Sequence, residues 1–242
     1  MAYLRDTAFV LKREPFREQD AWLVLYGREH GKLIAVARGA RVPKAKQLGH
    51  LEALSLVEVM IAKGQAFDKL AVARTVRSSH QLHASLEGLT ICAAFTDLVA
   101  QATQPHEADE RIFLLIEELV TALENLPEAI SPERANMVYA SAVMRLLALL
   151  GYASQLDACV LCQMKLEEQA WAVGPAGGLV CPRCLTREPS WRQRAIPLDP
   201  SMRKLLLFLQ RALFAEIFKV SAPPTYFRTV TQAVQELTHV LP

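Results

Sequence analysis

Two Cys-x-x-Cys pairs, Cys159-Val-Leu-Cys162 and Cys181-Pro-Arg-Cys184, stand 18 residues apart, and no other feature restricts the fold of this 242-residue chain as tightly. Two residues between thiolates let one tight turn present both sulfurs to a single ion at about 2.3 Å, and two such turns complete a tetrahedron. The spacing predicts a zinc region over residues 158–198, with Cys159, Cys162, Cys181 and Cys184 holding one structural Zn2+. Four thiolates fill every position on the ion and leave none for a reactive water, so the site reads as a clasp rather than a reaction centre. An iron site of rubredoxin type uses similar ligands and is the rival reading. A thioredoxin-like dithiol would need its pair at the start of a helix in a βαβ setting, which neither pair shows. His106-Glu107 lacks a second His four residues after the first, which removes the metalloprotease motif. The fifth cysteine, Cys92, lies among Ile91, Ala93, Ala94 and Phe95 and reads as a core thiol.

In a reducing cytosol the five cysteines should be thiols or metal ligands rather than disulfides. The chain also lacks an uncharged apolar run of the roughly 18 residues that a membrane span needs, and Met1 to Asp6 carries charge where a signal peptide would be apolar. A cytoplasmic protein is expected. Charge is divided along the chain: residues 1–80 hold 14 basic and 8 acidic groups (+6), residues 81–157 hold 3 and 11 (−8), and residues 158–242 hold 10 and 6 (+4). Basic ends suit a polyanion, whereas the acidic middle suits other protein surfaces.

The first 80 residues read as five short strands, around Thr7–Lys12, Ala21–Tyr26, Lys32–Arg38, Leu54–Ala62 and Lys69–Arg77, parted by Pro15, Gly27, Gly31, Pro43 and Gly64. That spacing suits an OB-like barrel, and an SH3-like barrel would leave nearly the same trace. Helix formers dominate from about Ser79. Helices are expected from about His80 to Ala102, from Glu107 to Asn125, and from the Ser131-Pro132 start to the stop at Gly151. Two more follow the cysteines, one opened by Asp199-Pro200 and running to about Lys219, the other opened by Pro223-Pro224-Thr225. The expected fold class is therefore α+β and multidomain: a barrel over 1–80, a helical domain over 81–157, the zinc region over 158–198, and C-terminal helices over 199–242 packing on the helical domain.

Between the third and fourth strands, residues 37–50 carry Arg38, Arg41, Lys44 and Lys46 with Gln47, His50 and no acid. Lys and Arg neutralise phosphates and release counterions, and Gly39 and Gly49 let the backbone come close, with no particular base sequence required. These four cations are the first candidates for DNA contact, with Lys12, Arg13 and Lys32 as second choices. Aromatic platforms for bases are sparse: Phe9, Phe16, Trp22, Tyr26 and Phe67 are read mainly as core, and the shared face of Trp22, Val24 and Tyr26 as barrel interior.

These residues together resemble the RecO family of bacterial recombination mediators over nearly the whole chain. Val10-Leu11-Lys12, Glu18-Gln19-Asp20, His30-Gly31-Lys32-Leu33 and Val36-Ala37-Arg38-Gly39-Ala40-Arg41 are similar to the family's barrel in order and spacing. Leu149-Leu150-Gly151-Tyr152 before the first cysteine pair, and Gly177-Gly178-Leu179-Val180 before the second, are similar to its zinc-bearing variety. The resemblance implies an OB-fold, a central helical bundle and a zinc region leading into C-terminal helices. It also implies a protein without catalytic turnover, associated with the nucleoid. Such a protein binds single- and double-stranded DNA, anneals complementary strands, and acts with RecR to load RecA on strands coated with single-strand-binding protein. A rival from another class is a zinc-ribbon adaptor that recruits proteins through the acidic bundle without touching DNA. A metal-dependent hydrolase of nucleic acid is a third reading.

Overall fold

A computed structural model describes residues 2–40, 51–79, 82, 85–126 and 130–238. The chain divides into two compact units, Met1–Pro127 and Glu128–Pro242.

The first unit begins with β1 (Tyr3–Pro15), β2 (Ala21–Gly27), β3 (Gly31–Ala37), β4 (Leu56–Ala62) and β5 (Lys69–Arg77). The strands follow the order β1-β2-β3-β5-β4, and β4 returns to β1. Strand β1 serves two neighbours. Tyr3 to Phe9 pair with Ala62 to Leu56 of β4, and Ala8 to Pro15 pair with Gly27 to Ala21 of β2 across a bulge between Val10 and Lys12. The seam between β3 and β5 is a single parallel pair, Val36 with Lys69, supported by Val36 N donating to the Asp68 carbonyl at 2.9 Å. This is a five-stranded barrel of OB type, its β3–β5 seam the shortest ladder.

Period-two alternation sorts its faces. Ala8 and Val10, then Ala21, Leu23 and Leu25, then Leu33, Ala35 and Ala37 point inward with Val57, Val59, Ile61, Leu70 and Ala73. Trp22, Val24 and Tyr26 consequently lie on the outside of the barrel, the reverse of the expectation that this face is interior. One residue of register decides the matter, and alternation by itself leaves the sign open when both faces of a strand are apolar.

Helices α1 (Leu86–Ala102) and α2 (Glu110–Glu124) cover part of that outer face. Ser85 Oγ caps α1 by accepting from Gly88 N at 3.1 Å, and Asp109 caps α2 by accepting from Arg111 N at 2.9 Å. The Asp109 cap starts α2 later than the Glu107 start read from composition. Phe9 of β1 meets Phe113 of α2 with ring centroids 5.2 Å apart, and the Tyr26 hydroxyl donates to the Asp109 carbonyl at 3.3 Å. Helices expected in a separate domain over 81–157 are thus divided, since α1 and α2 pack on the barrel within the first unit.

The second unit holds α3 (Pro132–Leu149), a three-stranded antiparallel sheet in the order β7-β6-β8, and the C-terminal helices. Strands β6 (Ala170–Val173), β7 (Gly178–Val180) and β8 (Ile196–Leu198) bury Ala170, Ala172, Leu179, Val180 and Leu198. The cysteine region thereby has a small core of its own. A four-residue helix, α4 (Pro182–Leu185), precedes α5 (Pro200–Leu209), α6 (Phe214–Ile217) and α7 (Pro224–Thr238). The single helix expected from Pro200 to about Lys219 breaks after Leu209 because α3 captures its carbonyls. Ser141 Oγ donates to Leu209 O at 2.7 Å and Arg145 Nη1 to Ala212 O at 3.3 Å, while the Glu216 carboxylate accepts from Leu213 N at 3.0 Å and opens α6.

Candidate nucleic-acid interface and metal centre

The sequence-derived cations fall into three groups. Arg38 is exposed just beyond the end of β3, and Arg13 is exposed near the end of β1. Among the described residues no ion pair engages either of them or the exposed Lys69 of β5. Arg41, Lys44 and Lys46 lie outside the described residues.

Lys12 and Lys32 are placed otherwise. Lys12 Nζ stands 2.7 Å from an Asp97 carboxylate oxygen on α1. Lys32 is buried, with Nζ donating to the Ala100 carbonyl at 2.7 Å. Ala100 sits in the last turn of α1, where carbonyls have no partner further along the helix, so the ammonium caps an orphan acceptor at the negative end of the helix. Burial lowers the pKa of Lys32. Its reading as a DNA contact gives way to a structural one, because an ammonium committed to a backbone carbonyl inside the unit is turned away from solvent. Lys followed by an apolar strand reads the same in sequence whether its head is outside or beneath a helix.

Acids of the two helices also meet Arg28, whose guanidinium lies 3.4 Å from Glu110, 3.8 Å from Glu117 and 4.8 Å above the centre of the Phe113 ring. Lys12 and Arg28 of the barrel are therefore matched by acids of the two helices.

In the second unit the four sulfurs of Cys159, Cys162, Cys181 and Cys184 all lie within 4.8 Å of one another, with Cys162 and Cys181 at 3.9 Å. Tetrahedral ligands at about 2.3 Å from a zinc ion would be about 3.8 Å apart, so the cluster needs only a small contraction to enclose one. The first pair is carried on a tight turn in which Cys159 N donates to Met164 O at 2.9 Å, Gln163 N donates to Cys159 O at 2.8 Å, and Gln163 adopts φ +58°. The second pair opens α4, with Cys181 at its N-cap, a helical setting that the spacing did not disclose. The two turns approach closely: a Cβ on Gly178 would stand 2.6 Å from Val160 Cγ1 and 2.7 Å from the Gln155 carbonyl. Burial opposes ionisation of Cys159, yet the backbone N–H groups of Cys181, Cys162 and Leu161 outweigh it and hold this thiol down to about 6. Burial and the neighbouring sulfurs push Cys184 up to about 12. Four sulfurs this close cannot all ionise without a cation among them. The chain does contain one His-x-Glu triplet, His50-Leu51-Glu52, of the kind found in zinc deaminases, but four sulfurs complete the shell with no need of a histidine.

An OB-type barrel with exposed cations, followed by helices and four cysteines placed so that they could hold a metal ion, defines a mixed α+β protein. A family profile described as Recombination protein O N terminal matches residues 1–79, and one described as Recombination protein O C terminal matches residues 83–239. The chain belongs to the RecO family, and with it to recombination repair of DNA. Among its relatives, the DNA repair protein RecO of Caldanaerobacter subterraneus subsp. tengcongensis is 25% identical over 223 residues, covering 92% of this chain and 86% of the relative. The RecO of Dehalococcoides mccartyi strain CBDB1 is 28% identical over 217 residues, covering 89% and 81%. The RecO of Desulfitobacterium hafniense strain DCB-2 is 28% identical over 191 residues, covering 78% and 67%. Among the described residues no helix is long and apolar enough to cross a membrane.

Proposed function

We propose that this protein is a recombination mediator without catalytic turnover, holding single- or double-stranded DNA by its phosphates on the exposed cationic end of the barrel. Arg38 and Arg13 anchor that surface, and Arg41, Lys44 and Lys46, which follow Arg38 closely in sequence, are the further candidates for phosphate contact. The observation that carries the reading is the division of charge on the barrel: Lys12 and Arg28 are matched by helix acids, while Arg38, Arg13 and Lys69 are exposed. Backbone binding leaves bases free to pair and lowers the repulsion between two strands, which is what annealing requires. The four cysteines hold Zn2+ as scaffold. RecR and single-strand-binding protein are the proposed protein partners, and RecA loading on coated strands is the proposed outcome.

The test is annealing of complementary strands coated with single-strand-binding protein, in the absence of nucleotide, by the full chain and by a variant with Arg41, Lys44 and Lys46 changed to Ala. The intact protein should accelerate annealing. The variant should lose roughly two to three units from the log–log salt slope of binding, at about 0.7 per lost contact on single strands or 0.9 on duplex. An intact protein that does not anneal coated strands would refute the mediator reading, and an unchanged slope would move the DNA surface away from this segment.

A further inference from the structure

The uncovered end of the barrel carries three aromatic rings that the helices leave alone. Phe16, Trp22 and Phe67 form a triangle with ring centroids 5.1, 5.4 and 5.5 Å apart. Trp22 lies on the outer face of β2 opposite Val36 of β3, two residues along that face from Val24 and four from Tyr26, whose hydroxyl meets the α2 N-terminus. At the Tyr26 end the outer rings are buried under α2, whereas at the Trp22 end they pack on each other and beneath Arg17, whose guanidinium lies 5.0 Å from the centre of the Phe16 ring, and Phe67 is left 41% exposed. Apolar side chains gathered in one patch at a surface mark an interaction site more often than scattered ones do.

What lies beside them narrows the ligand. A pocket of about 600 Å³ opens between Phe16, Phe67 and Val36, and Arg17, Arg38 and Lys69 stand on its walls. Trp22 is not a wall but braces both phenylalanines from below. Two acids stand at the site, Asp20 on the wall of the pocket and Asp68 in the loop beside it, and each holds backbone in place. Asp20 Oδ1 accepts from Gly39 N at 2.9 Å, and Asp68 takes Lys63 at 2.8 Å and Gly64 N at 3.2 Å. Those Asp68 bonds close the loop that presents Phe67, so tightly that a Cβ on Gly64 would lie 2.0 Å from the Phe67 carbonyl. The ring is held ready before any ligand arrives, which reduces the ordering cost of binding.

Flat apolar walls ringed by cations fit a planar ring joined on both sides to anionic groups. We infer that this pocket takes an unstacked base of single-stranded DNA against Phe67, beside the Phe16 ring that Arg17 overlies, with the flanking phosphates on Arg38 and Lys69. In a duplex both faces of each base are already stacked on neighbours and its edges are paired, so the pocket selects single strands, while the cations alone would not. This inference rests on the DNA-binding function proposed above and adds to it a strand preference.

The test is anisotropy titration of the full chain with a strand of 20 thymidines and with an abasic strand of the same length, which carries the same phosphates and no bases. The wild type should bind the thymidine strand at least fivefold more tightly, in the range that one stacked base supplies. Phe67→Ala, at a half-exposed loop position, should remove that preference with an unchanged salt slope, and Phe67→Tyr should restore it. Phe16→Ala should act in the same direction. Equal affinity of the wild type for the two strands, or a preference that survives in both alanine variants, would overturn the inference and leave backbone binding standing. Failure to bind either strand would overturn the proposed function and the inference with it.

Discussion

Changing Lys32 to Met separates a fold-holding cation from a DNA-holding one. The wild-type ammonium donates to Ala100 O at 2.7 Å in the last turn of α1, and the residue is 9% exposed. A hydrogen bond from a charged donor contributes about 1.5–3 kcal/mol, and a cation at a helix C-terminus about 0.3–1 kcal/mol. Methionine keeps most of the stem's volume and relieves the burial of the charge, so these terms are partly offset and a net loss of about 1–2 kcal/mol is expected. The loss also depends on pH. Burial lowers the folded-state pKa of Lys32 below its unfolded value. Between the two values the unfolded chain binds the proton and the folded chain does not, so the stability of the wild type relative to Lys32→Met rises as pH rises through that alkaline window. Urea unfolding at pH 7 and across the alkaline range reads both effects, and a salt titration with a single strand reads the third. The DNA slope should be unchanged in Lys32→Met and reduced by about 0.7 in Arg38→Ala. A Lys32→Met protein as stable as the wild type, with a slope reduced by about 0.7, would refute the placement of this ammonium.

Elemental analysis of freshly prepared protein should find one zinc per chain, and Cys159→Ala should lose the metal and melt at lower temperature; iron in its place, or less than about half a zinc, would count against the clasp. Phe113→Ala should cost about 3–4 kcal/mol in urea unfolding, because the ring is 1% exposed and fills the contact between α2 and Phe9. A loss under about 1 kcal/mol would mean that α2 is not seated on the barrel through this ring.

Strand positions and helix caps were legible because they rest on local chemistry. Ser131-Pro132 and Asp199-Pro200 start helices as their side chains dictate, Asp199 accepting from Ser201 N and Met202 N at 2.8 Å. The cysteine spacing likewise brings four sulfurs within 4.8 Å. The rest depended on facts that no local window carries. The outward face of β2 was decided by one residue of register, the end of α5 by Ser141 and Arg145 reaching from α3, and the place of Lys32 by a helix 68 residues away in sequence. Phe16 and Phe67 looked like core because each follows or precedes a strand singly; the triangle with Trp22 exists only once β2 is turned outward and the 63–68 loop folds against it.

Charge shows how the local and the distant readings join. Counted along the chain, residues 81–157 carry −8 and read as an acidic body set apart from a basic barrel. In three dimensions Asp97, Glu110 and Glu117 of that segment belong to the same unit as the barrel and face Lys12 and Arg28. Exposed pairs of this kind add little stability, about 0–1 kcal/mol each. Their consequence is in the field around the barrel, since potentials of exposed charges fade over a Debye length of about 10 Å at 0.1 M salt. On the function proposed above, phosphates that approach the helix-covered side meet matched charges, and those that approach the Arg38 side meet cations beside the half-exposed Phe67 ring. On that same proposal, the acids of α1 and α2 orient DNA by withdrawing Lys12 and Arg28 from competition and leaving Arg38, Arg13 and Lys69 to meet the phosphates.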